Sequence, residues 1–179
     1  SGLALIFGHP GSGKTFLALD IAFHVALGWP WNGRAVKSGL VVYIGAEGAN
    51  GLRNRIVAFM RHHQIEGEPV PMVLIPISID LQGADADLPK LIAAIELAVS
   101  KCGLPLALIV IDTVSKTFGA GKENTDDMAT YVANCQRVSE IFTCCVMPLH
   151  HRPKDTESKE PRGHSSLKGG VDTVLLVEG

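Results

Sequence analysis

Short apolar runs alternate with stretches of helical periodicity along the whole chain, and that alternation predicts a mainly parallel sheet covered by helices. The first run, Leu3-Ala4-Leu5-Ile6-Phe7, has strand length. After a glycine-rich turn, Phe16, Leu17, Leu19, Ile21, Ala22 and Val25 mark a helix. Gly28 to Gly33, rich in Gly, Pro and Trp, is a connection. Leu40 to Ile44 reads as a second strand. Asn50 stands where it would cap a helix carrying Leu52, Ile56, Phe59 and Met60 on one face. The run Met72 to Ile79, with Pro71 and Pro76, predicts an edge strand or an extended connection, because proline cannot donate to a ladder. Asp87 then caps a helix with Leu88, Leu91, Ile92, Ile95 and Val99 along one side. Leu106 to Ile111 is apolar throughout, as a strand buried on both faces requires. A loop rich in glycine and charge, Ser115 to Glu123, leads into a helix from about Asn124 to Ile141. Cys144 to Leu149 and Val174 to Val177 complete the sheet, separated by a polar stretch from His151 to Gly170 whose aliphatic residue is Leu167. With no repeat and no linker, residues 1–179 read as one domain. Because the chain starts almost on a strand, that domain is expected to be the core of a longer protein.

Composition narrows the class. The chain is 46% hydrophobic and 19% charged, as an ordinary globular α/β protein is. Its net charge of −2 excludes a globally basic nucleic-acid-binding surface, so any such contact must come from a few local Lys and Arg residues or from many copies together. The apolar start is too short for a signal peptide or a membrane span, and no membrane association is expected. The four cysteines show no CxxC spacing, and adjacent Cys144 and Cys145 fall in an apolar run. They read as small core residues of a cytoplasmic protein.

The chemistry begins in the first turn. Gly8-His9-Pro10-Gly11-Ser12-Gly13-Lys14-Thr15 is a complete GxxxxGK[ST] phosphate-binding loop set between strand and helix, followed by Phe16. Glycines let successive backbone N–H groups point at phosphates, Lys14 supplies charge for the β/γ-phosphates, and the Thr15 hydroxyl can ligate Mg²⁺. Gly8 to Phe16 are therefore the candidate nucleotide-binding residues. In parallel sheets the remaining reactive groups gather at the carboxyl ends of the strands. Asp112 ends an apolar strand in the Walker B pattern, which holds the Mg²⁺ shell. Thr113 follows it where many P-loop ATPases place a catalytic Glu. Glu47, in Gly45-Ala46-Glu47-Gly48, is the alternative carboxylate: either a base that polarises water or a residue leading the next helix. His150-His151 end the fourth core strand, and since adjacent strand residues face opposite ways only one meets the nucleotide, His150 being favoured. Within one chain no cation besides Lys14 is clearly placed to meet charge on the γ-phosphate. Arg162 and, as second choice, Lys168 lie on a Gly/Ser-rich hairpin. Each is either a plain solvated residue or a group reaching a neighbouring subunit's phosphates.

Taken together, these residues resemble the RecA-like division of P-loop NTPases. Within it they are similar to the plasmid RepA-type hexameric replicative helicases and their phage relatives. The likeness runs through Tyr43-Ile44-Gly45-Ala46-Glu47-Gly48, Ile111 to Gly119, Glu123-Asn124, His150-His151 and Arg162 to Leu167, and covers almost the whole chain. It implies ATP held by Lys14 and Thr15, Mg²⁺ held by Thr15, Asp112 and Glu47, water activated by Glu47, the γ-phosphate sensed by His150 or His151, and Arg162 acting across a subunit boundary. It also implies a homo-oligomeric ring, a hexamer, moving on single-stranded DNA. The strand-touching loops would be 115–123 and 151–163, with Lys116, Lys122, Arg152, Lys154 and Lys159. Two other readings stay open at this level: a RecA- or KaiC-like ATPase that does not unwind, and a nucleotide-dependent switch that recruits partners.

Overall fold

A computed structural model describes residues 1–46, 49–83, 87–120, 127–152 and 165–178. The elements run β1 (Gly2–Gly8), α1 (Lys14–Leu27), β2 (Leu40–Gly45), α2 (Ala49–His62), β3 (Met72–Ile75) and α3 (Leu88–Cys102). Next come β4 (Leu106–Asp112), a short 3-10 turn (Val114–Lys116), α4 (Asp127–Phe142), β5 (Cys145–His151), α5 (Ser165–Gly169) and β6 (Thr173–Val177). The six strands form one sheet in the order β3-β2-β4-β5-β1-β6, and every pairing is parallel. The chain has an α/β fold of the P-loop NTPase kind.

Strand position explains strand composition. β2 is buried at every residue and β4 at nearly every one, so both read as unbroken apolar runs. The edges β3 and β6 leave side chains in solvent. On one face Ile6, Val41, Tyr43, Val110 and Leu149 pack under α1 and α2; on the other Phe7, Ile44, Ile111 and Val146 pack under α3, α4 and α5. The apolar alternation along each strand therefore serves two cores, one per face.

Several expected boundaries shift. α2 begins at Ala49, so Asn50 lies inside its first turn and is not its cap. Asp87 does stand at the cap of α3, but its carboxylate accepts from the Asp80 N–H at 3.1 Å and from Lys90 Nζ at 2.8 Å instead of closing the helix. The segment after β4 is anchored from within. Phe118 packs in the core beside Tyr131, and buried Thr117 shares a 2.9 Å hydrogen bond with the Tyr131 hydroxyl. α4 is described from Asp127, and its expected start at Asn124 lies outside the described residues. The expected Gly/Ser-rich hairpin becomes, from Ser165 on, the helix α5, held by Leu167 in the core. His63, near the end of α2, packs at a tilt against the rings of Phe59 and Trp29. Cys144 is buried as expected and Cys145 is half-buried; Cys135 is buried too, whereas Cys102 is exposed.

Candidate functional site

The strand order gathers chemistry at the carboxyl edge. β5 lies between β1 and β4, with His151 in register with Gly8, and Leu149 with Asp112. On β4 and β5, Asp112 and His151 share the side of Val110 and Leu149, the face that α1 covers. Lys14 opens that helix directly after the loop. Gly11, Gly13, Lys14, Thr15, Phe16, Arg55, Asp112, Thr113 and His151 line one cavity of about 180 Å³.

Backbone geometry makes the loop a cradle. Gly11 and Gly13 hold φ of 82° and 93°, values that L side chains rarely adopt. Gly8 is required for a different reason: a Cβ there would run into the Val177 carbonyl of β6. Gly13 also stands at the N-cap of α1 with no side-chain cap, so the first N–H groups of the helix are left for an anion. Lys14 is buried, and its ammonium donates to the carbonyls of His9 at 2.7 Å and Gly8 at 3.1 Å. The Ser12 hydroxyl oxygen is buried with no hydrogen-bond partner among the described residues. A positive cradle with a spare hydroxyl fits a polyphosphate.

Asp112 is only 4% exposed, and Oδ2 accepts from the Tyr43 hydroxyl at 2.9 Å. Burial, reinforced by the neighbouring Asp112 charge and the bond to it, pushes the Tyr43 phenol well above its ordinary value and keeps it a donor. Ala46, the residue before Glu47, donates its N–H to the Asp112 carbonyl at 2.9 Å, so β2 leaves the sheet beside Asp112. The hydroxyl of Thr15 and the carboxylate of Asp112 are hard oxygen donors facing one cavity. Among the described residues no group of three or more His, Cys, Asp or Glu side chains could hold a metal by itself. That donor set fits Mg²⁺, which binds through one or two protein oxygens together with water and phosphate.

The structure redistributes the predicted residues. It brings together Lys14, Thr15, Phe16, Asp112 and His151. His150, the favoured histidine, is fully buried and does not line the cavity; the strand runs on to His151, and register turns that side chain to the loop face. Lys168 sits exposed on α5, also outside the cavity lining. Arg152 is buried beside the phosphate loop, so it is not the solvent-facing DNA contact expected, whereas Lys116 is exposed. Glu47, Arg162, Lys122, Lys154 and Lys159 lie outside the described residues. Sequence reasoning missed Arg55, the in-chain cation it had not found. Arg55 lines the cavity with its guanidinium 5.2 Å from the ring centre of Phe16, itself 61% exposed. The legible signal was its place on the helix that leaves the carboxyl end of β2.

No helix among the described residues is long and apolar enough to cross a membrane. No curated protein matches the chain. A family model described as an AAA domain matches residues 1–157, from β1 through the end of β5 and beyond. With that match spanning most of its length, and with the phosphate loop and Asp112 on one sheet edge, the chain belongs to the AAA domain family of P-loop ATPases.

Proposed function

We propose that this chain is the ATP-hydrolysing motor core of a RepA-type replicative DNA helicase. The observation that carries the ATPase part is the cavity shared by Lys14, Thr15, Asp112 and His151. The helicase part rests on the resemblance through Ile111 to Gly119, His150-His151 and Arg162 to Leu167.

In this reading the N–H groups from Gly8 to Thr15 hold the phosphates, and Lys14 exchanges the Gly8 and His9 carbonyls for β/γ-phosphate oxygens. Thr15 and Asp112 hold Mg²⁺, with Tyr43 fixing the carboxylate. The ion supplies charge neutralisation at the phosphates when bound. Glu47 takes a proton from the attacking water. His151 donates a hydrogen bond to the γ-phosphate and registers its loss. Arg55 adds positive charge from the same chain, and Arg162 from a neighbouring subunit in a hexameric ring. Lys116, Lys122, Lys154 and Lys159 are the contacts to single-stranded DNA; Arg152 leaves that set because it is buried.

Strand separation by the full-length protein tests the reading, together with ATP turnover with and without single-stranded DNA. A helicase motor unwinds a tailed duplex and turns over faster on the single strand. Turnover indifferent to DNA, with no unwinding, leaves a RecA- or KaiC-like ATPase in its place.

A further inference from the structure

The first turn of α1 carries an aromatic ring that the core does not use. Helical spacing puts Phe16 in line with Leu19 and Phe23, at i, i+3 and i+7. Leu19 and Phe23 are buried under the sheet face that α1 covers, yet Phe16 is 61% exposed. The stripe therefore runs past the end of the core at the carboxyl edge. Among the described residues, the other large apolar side chains left in solvent are aliphatic. The ring is nevertheless backed from one side, because the Arg55 guanidinium of α2 stands over it at 5.2 Å from the ring centre. Phe16 and Arg55 both line the cavity that holds Lys14, Asp112 and His151.

That cavity, about 180 Å³, is smaller than the pockets of roughly 300 Å³ or more that enclose whole small ligands. It suits phosphates and leaves the nucleoside at its mouth. The chemistry of the walls sets the direction. Lys14 reaches the β/γ end of a triphosphate, and Asp112 and His151 stand at the strand ends that take the metal and the γ-phosphate. Phe16 and Arg55 form the wall that is left, and the nucleoside leaves past them. An exposed aromatic plane at that exit is a surface on which a base stacks. We propose that Phe16 is the base platform of the nucleotide site, with Arg55 bracing its ring from the opposite side. This rests on the reading of Gly8 to Thr15 as the triphosphate site. A platform reads the face of a base and not its edge, so adenine and guanine nucleotides depend on it alike. A ligand with phosphates and no base does not depend on it at all.

The test is calorimetric binding, with Mg²⁺ present, of β,γ-imido-ATP, β,γ-imido-GTP and inorganic tripolyphosphate. The proteins compared are the full chain, Phe16→Ala, Phe16→Leu, Phe16→Trp and Lys14→Ala. Because Phe16 is mostly in solvent, truncating it empties no core. Phe16→Ala and Phe16→Leu weaken both nucleotides about tenfold, the scale of one lost stacking contact, and leave tripolyphosphate within about twofold. Phe16→Trp binds both nucleotides at least as tightly as the unaltered chain. An equal loss of tripolyphosphate means that the ring only shapes the loop, and overturns the proposal. Nucleotide binding undiminished in Phe16→Ala or Phe16→Leu overturns it too, since no aromatic plane is then needed. A loss confined to one base points to edge recognition and has the same consequence. Where tripolyphosphate binds too weakly to read, the contrast between Phe16→Leu and Phe16→Trp decides alone. Lys14→Ala tests the underlying reading separately, because it loses all three ligands if Gly8 to Thr15 hold the phosphates. Undiminished binding by that variant would overturn the phosphate-loop reading itself, and this proposal with it.

Discussion

Asp112 carries its charge into a nearly dry edge of the sheet, and the Tyr43 hydroxyl makes that tolerable. A buried carboxylate short of a donor is costly, so Tyr43→Phe should lower unfolding free energy by about 1–3 kcal/mol. Because the hydroxyl also orients a metal-holding group, the Mg²⁺ concentration needed for half-maximal turnover should rise about tenfold. A magnesium titration of ATPase rate checks this, and an unmoved midpoint would separate Tyr43 from the metal shell. Glu47→Gln keeps the shape of the side chain but removes the proton acceptor. Nucleotide affinity should hold while turnover falls about a hundredfold, the scale of a lost general base. An unchanged rate would return Glu47 to the role of leading α2.

At the scale of elements, how much was legible depended on how far each element obeys one rule. β2 and β4 are buried on both faces, so an apolar run is enough to find them and to place Asp112 at the end of β4. The loop motif is complete in eight consecutive residues, so Gly8 to Thr15 needed no tertiary information. Side-chain direction at a strand end did need it. Whether β5 stops at Leu149 or runs to His151 decides nothing in composition, and the pairing of His151 with Gly8 settles which imidazole faces the loop. Arg152 read as a loop charge because its partners, Gly8 and Glu178, are far away in sequence. The segment after β4 looked like a solvated loop because its glycines and charges outnumber the two residues that anchor it. Those anchors carry a cost if lost. Phe118→Ala removes a fully buried ring beside Tyr131 and should destabilise the protein by about 3–5 kcal/mol. Chemical denaturation measures it, and a loss near zero would mean that the segment does not pack in solution.

For the whole molecule, burial of thiols sets an alkaline limit. Burial pushes the Cys135 and Cys144 thiols from 9.0 up to about 12. The unfolded chain releases these protons near pH 9.0 while the native state keeps them, so the native state binds more protons in that window. Stability should therefore be level below about pH 9 and fall as pH rises toward about 12. Denaturant midpoints against pH should show that slope, and Cys135→Ala should flatten it. The proposed ring adds a second requirement, a cation supplied in trans. Mixing Arg162→Ala chains, which keep the phosphate loop, with Lys14→Ala chains, which keep the arginine, should restore part of the turnover that each lacks alone. No rescue, with specific activity independent of protein concentration, would rule the shared site out. The mixing test presupposes that the carboxyl-edge cavity around Lys14 and Asp112 hydrolyses ATP. Steady-state phosphate release from Mg·ATP, compared between the unaltered chain and Lys14→Ala with single-stranded DNA present, tests that claim most directly. The unaltered chain should release phosphate and Lys14→Ala none above background; equal release from both would place ATP turnover outside this cavity.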